Sequence, residues 1–202
     1  MNGSPSAAGK RARVGVLGLQ GDFQEHLEVL RRMGVDAVDV RKPEQLDGLD
    51  ALIIPGGEST TIGKLADLYG LTDAIRERAD EGMPIWGTCA GAIFLAKRVP
   101  GRPQTLLGLM DITVERNAFG RQLDSFEAEL DVPKFGEKPF HAVFIRAPKI
   151  AAAGDGVDVL SRLEDGTIVA AQQGKLLATS FHPELTSDDR FHRYLVDLIE
   201  RR

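Results

Sequence analysis

Short apolar runs alternate with helical patterns through the first half of the chain, and this alternation constrains the fold more than any other feature. The runs that suit buried strands lie at 13–19, 35–40, 49–54 and 83–86. The helical patterns lie at 22–33, 61–68, 72–81 and 90–97. Strands and helices that alternate at this spacing predict a parallel sheet covered by helices on both faces. We therefore expect an α/β fold.

The second half of the chain has a different pattern. Shorter strand-like runs lie at 110–115, 125–130, 141–145, 157–163, 167–172 and 176–181, and a helical pattern at 188–200 follows them. The pairs Asp165-Gly166 and Gln173-Gly174 are typical of hairpin turns. These features predict one domain with a mixed, mostly parallel sheet and an antiparallel addition late in the chain.

Composition narrows the class of protein. With 202 residues, of which 43% are apolar, the chain suits a single globular domain. We assign 1–12, rich in small and polar residues, to a disordered tail and 13–202 to the domain. The net charge of −5 predicts no nucleic-acid partner, and no apolar run is long enough to span a bilayer. A single cysteine excludes an internal disulfide and fits a reducing, cytoplasmic compartment.

That cysteine lies in Gly87-Thr88-Cys89-Ala90-Gly91, directly after an apolar run and before a helical pattern. A strand, a turn framed by glycines and a helix form a nucleophile elbow, in which the turn is too tight for larger side chains. The helix N-terminus favours a thiolate at this position. A cysteine that only packs in the core is the alternative until a base is found.

A base is available in Ser180-Phe181-His182-Pro183-Glu184, at the end of the last strand-like run. Residues two apart in an extended chain point to the same side, so His182 and Glu184 share a face. A carboxylate beside an imidazole fixes its tautomer and stabilises the imidazolium that forms during proton transfer. Together with Cys89, this pair predicts a Cys–His–Glu triad.

A glycine turn, Gly56-Gly57-Glu58-Ser59-Thr60, follows the third strand-like run. Backbone N–H groups exposed at such a turn suit an oxyanion or a carboxylate. The spacing from Gly57 to Gly63-Lys64 does not match a phosphate-binding loop, so a nucleotide site is not expected. Arg116 and Arg146 each follow a strand-like run and could meet a carboxylate ligand.

The remaining histidines carry less weight. We interpret His26, His141 and His192 as structural or surface residues. No pair of histidines has the spacing of zinc ligands and there is no second cysteine, so no metal site is expected.

In this order, the motifs resemble those of class I (triad-type) glutamine amidotransferases, and most closely the glutaminase subunits of pyridoxal 5′-phosphate synthases. The segments that carry the resemblance are 18–23, 55–61, 87–91, 116–122, 144–148 and 180–186. The run Arg116–Gln122 and the Gly-Glu-Ser-Thr-Thr turn single out this vitamin B6 branch.

The resemblance implies a three-layer α/β/α, flavodoxin-like fold and hydrolysis of glutamine to glutamate and ammonia, without a cofactor. It implies that Cys89 is the nucleophile, His182 the general acid and base, and Glu184 the carboxylate that orients His182. The backbone N–H groups of Gly57 and Ala90 would form the oxyanion hole, with Gln20 as a weaker support. The implied glutamine-binding residues are Gly57, Glu58, Ser59, Arg116, Ile145 and Arg146.

We expect no second domain in this chain that could accept the ammonia. The resemblance therefore implies a partner, a (β/α)8-barrel synthase subunit in a large hetero-oligomer. Two alternatives remain open: a stand-alone cysteine hydrolase of γ-glutamyl substrates, and a non-catalytic partner that regulates a synthase.

Overall fold

The structure, a computed structural model, describes residues 11–101, 103–116 and 125–200. Residues 1–10 of the predicted tail lie outside this range, so the division of the chain into tail and domain stays a prediction. Residues 117–122 of the Arg116–Gln122 motif also lie outside it.

Strands and helices alternate in the first half, as the sequence predicts. The strands are β1 (Arg13–Leu17), β2 (Asp36–Val40), β3 (Ala51–Ile54) and β4 (Ile85–Thr88). The helices are α1 (Phe23–Arg32), α2 (Ser59–Leu68), α3 (Leu71–Asp80) and α4 (Ala90–Leu95). The helical pattern at 90–97 ends early, because residues from Ala96 onward pair with a neighbouring strand and leave the helix.

Eight further strands and one further α-helix follow α4 in the described chain, and short 3-10 helices lie at Pro43–Leu46, Pro133–Phe135 and Pro183–Leu185. The strands are β5 (Ala96–Arg98), β6 (Met110–Glu115), β7 (Ser125–Leu130), β8 (Phe140–Ile145), β9 (Lys149–Ala153), β10 (Asp158–Arg162), β11 (Ile168–Gln173) and β12 (Leu176–Thr179), and the helix is α5 (Arg190–Glu200). The strands β5 and β9 are not expected from the sequence. The segment of β9 is rich in alanine, which disfavours strands, and it becomes a strand by pairing with β6.

The main sheet has the order β2-β1-β3-β4-β12-β11-β9-β6-β5, and β10 pairs with β11. The first five strands in this order are mutually parallel. They reproduce the 2-1-3-4-5 order of flavodoxin-like folds, with β12 as the fifth strand. The strands around β11 are antiparallel, and β7 and β8 form a separate two-stranded sheet. The expectation of a mixed sheet with a late antiparallel addition is confirmed.

Helices cover both faces of the parallel strands. On β3, Leu52 and Ile54 pack into one apolar cluster with residues of α2, α3 and α4, whereas Ala51 and Ile53 pack into a second cluster with residues of α1 and α5. Adjacent residues of a strand point to opposite faces, so each buried strand supplies both clusters. This arrangement is the three-layer α/β/α architecture that the sequence predicts.

The parallel order places the carboxyl ends of β1, β3, β4 and β12 at one edge of the sheet. In open α/β sheets, ligands bind in the crevice at this edge, where the strand order reverses. Among the described residues, no helix is long and apolar enough to cross a membrane.

Candidate active site

A cavity of about 430 Å3 opens at this edge of the sheet. The loops that follow β1, β3, β4, β8 and β12 all contribute to its wall. Its lining residues are Gln20, Asp22, Gly57, Glu58, Ser59, Cys89, Ala90, Ile93, Arg116, Ile145, Arg146, Pro148 and His182. All site residues named from the sequence line this cavity except Glu184, which is buried behind His182.

Cys89 occupies a strained turn between β4 and α4. Its φ is +48° and its ψ is −106°, a conformation that residues with a side chain rarely adopt. The turn is held by the backbone N–H of Cys89, which donates to the carbonyl of Thr179 at 2.8 Å. Gly91 packs directly on β3, since a Cβ there would lie 1.9 Å from the carbonyl oxygen of Ile54. The thiol is therefore fixed at the N-terminus of α4, as a nucleophile elbow requires.

His182 lies beside the cysteine and is held in place by a carboxylate. Its Nδ1 is 2.7 Å from Oε1 of Glu184, and its backbone N–H donates to the carbonyl of Val143 at 2.8 Å. A carboxylate accepts only, so Nδ1 of His182 carries a proton. Burial acts to lower the pKa of His182, but interactions with Cys89 and Glu184 outweigh it and raise this pKa to about 10.

Glu184 is nearly inaccessible to solvent. Burial raises the pKa of its carboxyl, and the hydrogen bond to His182 opposes that rise. Within residues 11–101, 103–116 and 125–200, its second oxygen, Oε2, has no hydrogen bond of good geometry, although Nε2 of His26 lies 3.3 Å away. The pair of Glu184 and His182 is thus a buried acid–base couple next to a thiol.

Asp22 is a site residue that the sequence reasoning misses, because its position before a helical pattern indicates only a helix cap. Its side chain makes no capping hydrogen bond to α1. Instead, Oδ2 lies 3.4 Å from Nδ1 of His182. The ligand atoms of Asp22, His182 and Glu184 lie within 4.8 Å of one another, close enough for a metal ion. Hydrogen bonding by the proton on Nδ1 of His182 accounts for this close approach of the two carboxylates without a metal ion.

The glycine turn after β3 is organised by Gln20. Oε1 of Gln20 accepts the backbone N–H of Glu58 at 2.6 Å. Gly57 has a φ of +148°, and a Cβ there would lie 2.4 Å from Oε1 of Gln20. The turn therefore needs glycine at this position for both its conformation and its close contact.

Glu58 is the N-cap of α2. Its carboxylate accepts the backbone N–H groups of Thr60 and Thr61 at 3.2 and 2.7 Å, as well as both threonine hydroxyls. Burial acts to raise the pKa of Glu58, but these hydrogen bonds prevail and lower this pKa to about 2. Nη2 of Arg116 lies 3.8 Å from Oε1 of Glu58, so this cation faces the same side of the cavity.

Gln104 connects two of the predicted binding residues and is also missed. Its Oε1 accepts from Nη1 of Arg116 at 3.0 Å and from Oγ of Ser59 at 3.3 Å. No local motif signals this residue, because it lies in a loop without a recognisable pattern.

On the opposite wall, Ile145 and Arg146 follow β8. Ile145 is 40% exposed, which is high for an isoleucine, and its carbonyl oxygen is 3.9 Å from the Cys89 thiol. Arg146 has a φ of +45°, the second described residue other than glycine in the left-handed region. Backbone strain of this kind is concentrated at functional sites.

The other histidines lie outside the cavity. His141 is on the surface, with its ring nitrogens 2.6 and 2.8 Å from carboxylate oxygens of Glu129 and Glu127. These contacts raise the pKa of His141. His26 and His192 are completely buried behind the site.

A thiol on a strained elbow beside a buried histidine–carboxylate pair, on a parallel α/β sheet, is the arrangement of a cysteine hydrolase with a catalytic triad. One solved structure with the same fold is consistent with this class. A crystal structure described as a glutamine amidotransferase superimposes with a TM-score of 0.88 at 57% identity, over 93% of this chain and 99% of that one. A chain of the PurLQS structure from Thermotoga maritima has a TM-score of 0.69 at 16% identity, over 95% of this chain and 100% of that one, and shares the fold.

Sequence comparison gives a narrower assignment. The profile of the SNO glutamine amidotransferase family matches residues 16–201. A relative from Herpetosiphon aurantiacus, named pyridoxal 5′-phosphate synthase subunit PdxT, is 62% identical over 92% of this chain and 99% of its own length. A protein of the same name from Thermus thermophilus is 58% identical over 93% of this chain and 98% of its own. The chain belongs to the SNO glutamine amidotransferase family.

Proposed function

We propose that this protein is the glutaminase subunit of a pyridoxal 5′-phosphate synthase, which hydrolyses L-glutamine to L-glutamate and ammonia. The family and the names of the relatives support this reaction. The observation that carries the proposal is that Cys89, after β4, and His182, after β12, meet in one cavity, with Glu184 buried behind His182 and 2.7 Å from it. The residues of the site account for each step.

Cys89 attacks the side-chain amide carbon of glutamine as a thiolate. His182 donates a proton to the leaving ammonia, and it then removes a proton from the water that cleaves the γ-glutamyl thioester. Glu184 keeps the proton on Nδ1, so that Nε2 faces the reacting atoms. A raised pKa of His182 suits this role, because the imidazolium is stabilised next to the thiolate.

The oxyanion of the tetrahedral intermediate is held by the backbone N–H groups of Gly57 and Ala90. Ala90 is the first residue of α4, and the first N–H groups of a helix have no partner within it. Each such donor contributes about 3 kcal/mol to transition-state stabilisation. Gln20 supports this hole by holding the Glu58 end of the turn.

Glutamine is bound by Gly57, Glu58, Ser59, Arg116, Ile145 and Arg146. The guanidinium groups of Arg116 and Arg146 supply the positive charge for the α-carboxylate. The carboxylate of Glu58 is occupied by Thr60 and Thr61, so it acts on the ligand through the position of α2 and of Arg116. No metal or cofactor is needed for this chemistry.

The ammonia is delivered to a synthase subunit with a (β/α)8-barrel fold, in a large hetero-oligomer. Ammonia that escapes into water is protonated and is no longer a nucleophile, so the partner must cover the cavity. Ile145 and Leu185, which are 40% and 45% exposed, supply apolar surface beside the cavity. A reactive thiol needs a reducing compartment, which supports a cytoplasmic location.

The test measures ammonia release by the purified chain, by itself and with the synthase subunit, for the wild type and for Cys89→Ala. We expect slow release by the chain by itself, fast release by the complex, and none by the folded variant. Equal rates with and without the synthase would contradict the coupling. Release by Cys89→Ala would contradict the assigned nucleophile, and absence of labelling by a diazo-ketone analogue of glutamine would favour a regulatory role.

A further inference from the structure

Two buried histidines with no role in the proposed reaction lie directly behind Glu184. His26 and His192 both have an exposure of 0%. Nδ1 of His26 is 2.9 Å from Nε2 of His192, and Nε2 of His26 is 3.3 Å from Oε2 of Glu184. Since Oε1 of Glu184 contacts His182, the four side chains form a continuous line from the core to the cavity.

Both histidines are neutral in this environment. Burial, followed by the charges of His192 and His182, lowers the pKa of His26 well below its ordinary value. Burial lowers the pKa of His192 to about 3, and Arg32 acts in the same direction against Asp189. A neutral imidazole has one N–H and one lone pair, so the protons along this line can be placed in only two ways. Either the N–H groups of both histidines point away from Glu184, or both point toward it.

The hydrogen-bonding capacity of the two rings selects one direction. In the first case, Nδ1 of His26 carries the proton, and the lone pair on its Nε2 faces Oε2 of Glu184. Nε2 of His192 must then accept from His26, so His192 carries its own proton on Nδ1. Nδ1 of His192 is buried and has no hydrogen-bond partner in the part of the chain that the structure describes, and a buried N–H without a partner is rarer than an acceptor without one. In the opposite direction, Nε2–H of His192 donates to His26, and only a lone pair is left over.

In that direction, Nε2–H of His26 faces two acceptors at once. Oγ1 of Thr88 and Oε2 of Glu184 both lie 3.3 Å from Nε2. An N–H shared between two acceptors gives such long distances. Oε2 of Glu184 is a buried carboxylate oxygen without a hydrogen bond of good geometry among the described residues, and Nε2–H of His26, at 3.3 Å, is the donor that faces it.

We propose that His26 is a positioning residue for the glutaminase reaction, whose Nε2–H holds Glu184 in the orientation that serves His182, and that His192 fixes the tautomer of His26. This inference rests on the proposed function. A carboxylate held at Oε2 cannot rotate away from His182, so Oε1 stays on Nδ1 and the base stays aligned with Cys89.

Two amide variants of His26 test whether a hydrogen-bond donor is needed at the position of Nε2. In His26→Gln the amide nitrogen reaches the position of Nε2, whereas in His26→Asn it reaches only the position of Nδ1. We expect His26→Asn to lower kcat of the complex about tenfold or more with KM unchanged, a loss typical of an outer hydrogen-bond partner, and His26→Gln to retain most of kcat. His141→Gln, on the surface, is the control and leaves kcat unchanged. Equal kcat values for the two His26 variants, at equal thermal stability, would overturn the proposal.

Nitrogen NMR of the wild-type protein labelled at histidine tests the direction without an activity assay. We expect His26 and His192 to be protonated at Nε2 and bare at Nδ1. A proton on Nδ1 of His26 would overturn the proposal even if glutamine is hydrolysed. A wild-type complex that does not hydrolyse glutamine would instead contradict the proposed function, so the two failures are distinguishable.

Discussion

Replacing Gly56 with alanine moves the imidazole of His182 while every reacting side chain is kept. A Cβ at Gly56 would lie 2.5 Å from Cε1 of His182 and 3.1 Å from Nδ1. Carbon atoms in contact are about 3.5 Å apart, so the ring must shift by about 1 Å. The ring is buried, and its Nδ1 is hydrogen-bonded to Oε1 of Glu184 at 2.7 Å. The shift therefore stretches or breaks that hydrogen bond.

The shift predicts a loss in kcat. Misplacement of a catalytic group by about 1 Å costs about a hundredfold in rate, or about 3 kcal/mol of activation free energy. We expect kcat for glutamate formation by Gly56→Ala, in complex with the synthase, to fall by this factor. KM should stay within about twofold of wild type, because the cationic side chains that bind glutamine lie elsewhere in the cavity.

Gly15→Ala is the matched control. A Cβ at Gly15 would also lie 2.5 Å from another atom, in this case Cδ1 of Leu49 in the apolar core. Overpacking of this kind costs about 1–3 kcal/mol of unfolding free energy, and urea unfolding measures it in both variants. We expect both to be destabilised and only Gly56→Ala to lose kcat. Wild-type kcat in Gly56→Ala, or an equal loss in Gly15→Ala, would refute the reasoning.

Two further predictions concern stability. Glu58→Ala removes the cap of α2 and should lower the unfolding free energy by about 1 kcal/mol near neutral pH. Because the pKa of Glu58 is lowered from 4.5 to about 2, the stabilisation by this cap is present above pH 4.5 and is lost as the pH falls toward about 2. Urea unfolding should therefore show a smaller difference in unfolding free energy between Glu58→Ala and wild type at about pH 3 than at about pH 7. An unchanged difference would contradict this pH dependence. Phe191→Ala removes a fully buried ring stacked on Trp86 at 5.9 Å and should cost about 3–5 kcal/mol. Leu68→Ala, at a side chain 74% exposed, should change stability by less than about 0.5 kcal/mol, and similar losses in these two variants would contradict the assigned core.

Much of the fold could be predicted because the parallel strands have strong local patterns. The runs that form β1, β3 and β4 are apolar and end at glycine turns, so each can be recognised by itself. By contrast, β9 (Lys149–Ala153) has a sequence without strand propensity and depends on pairing with β6, which is distant in the chain. The sequence indicates local preference but not which distant segments will pair.

The same distinction applies to the site. Cys89, His182 and Glu184 lie in short motifs whose chemistry is readable from neighbouring residues. Gln104 meets Ser59 and Arg116 only through the folded loop, and His26 meets Glu184 across 158 positions of the sequence. Contacts of this kind are set by helix and loop packing, so they carry no local signal.

Activation of Cys89 toward the amide of glutamine is the central feature of the proposed function. The most direct measurement is intact mass spectrometry and peptide mapping of the complex after exposure to a diazo-ketone analogue of glutamine. We expect one equivalent of label on Cys89, protection by excess glutamine, and strongly slowed labelling in His182→Asn. Label on another residue, or equally fast labelling of Cys89 in His182→Asn, would contradict this activation.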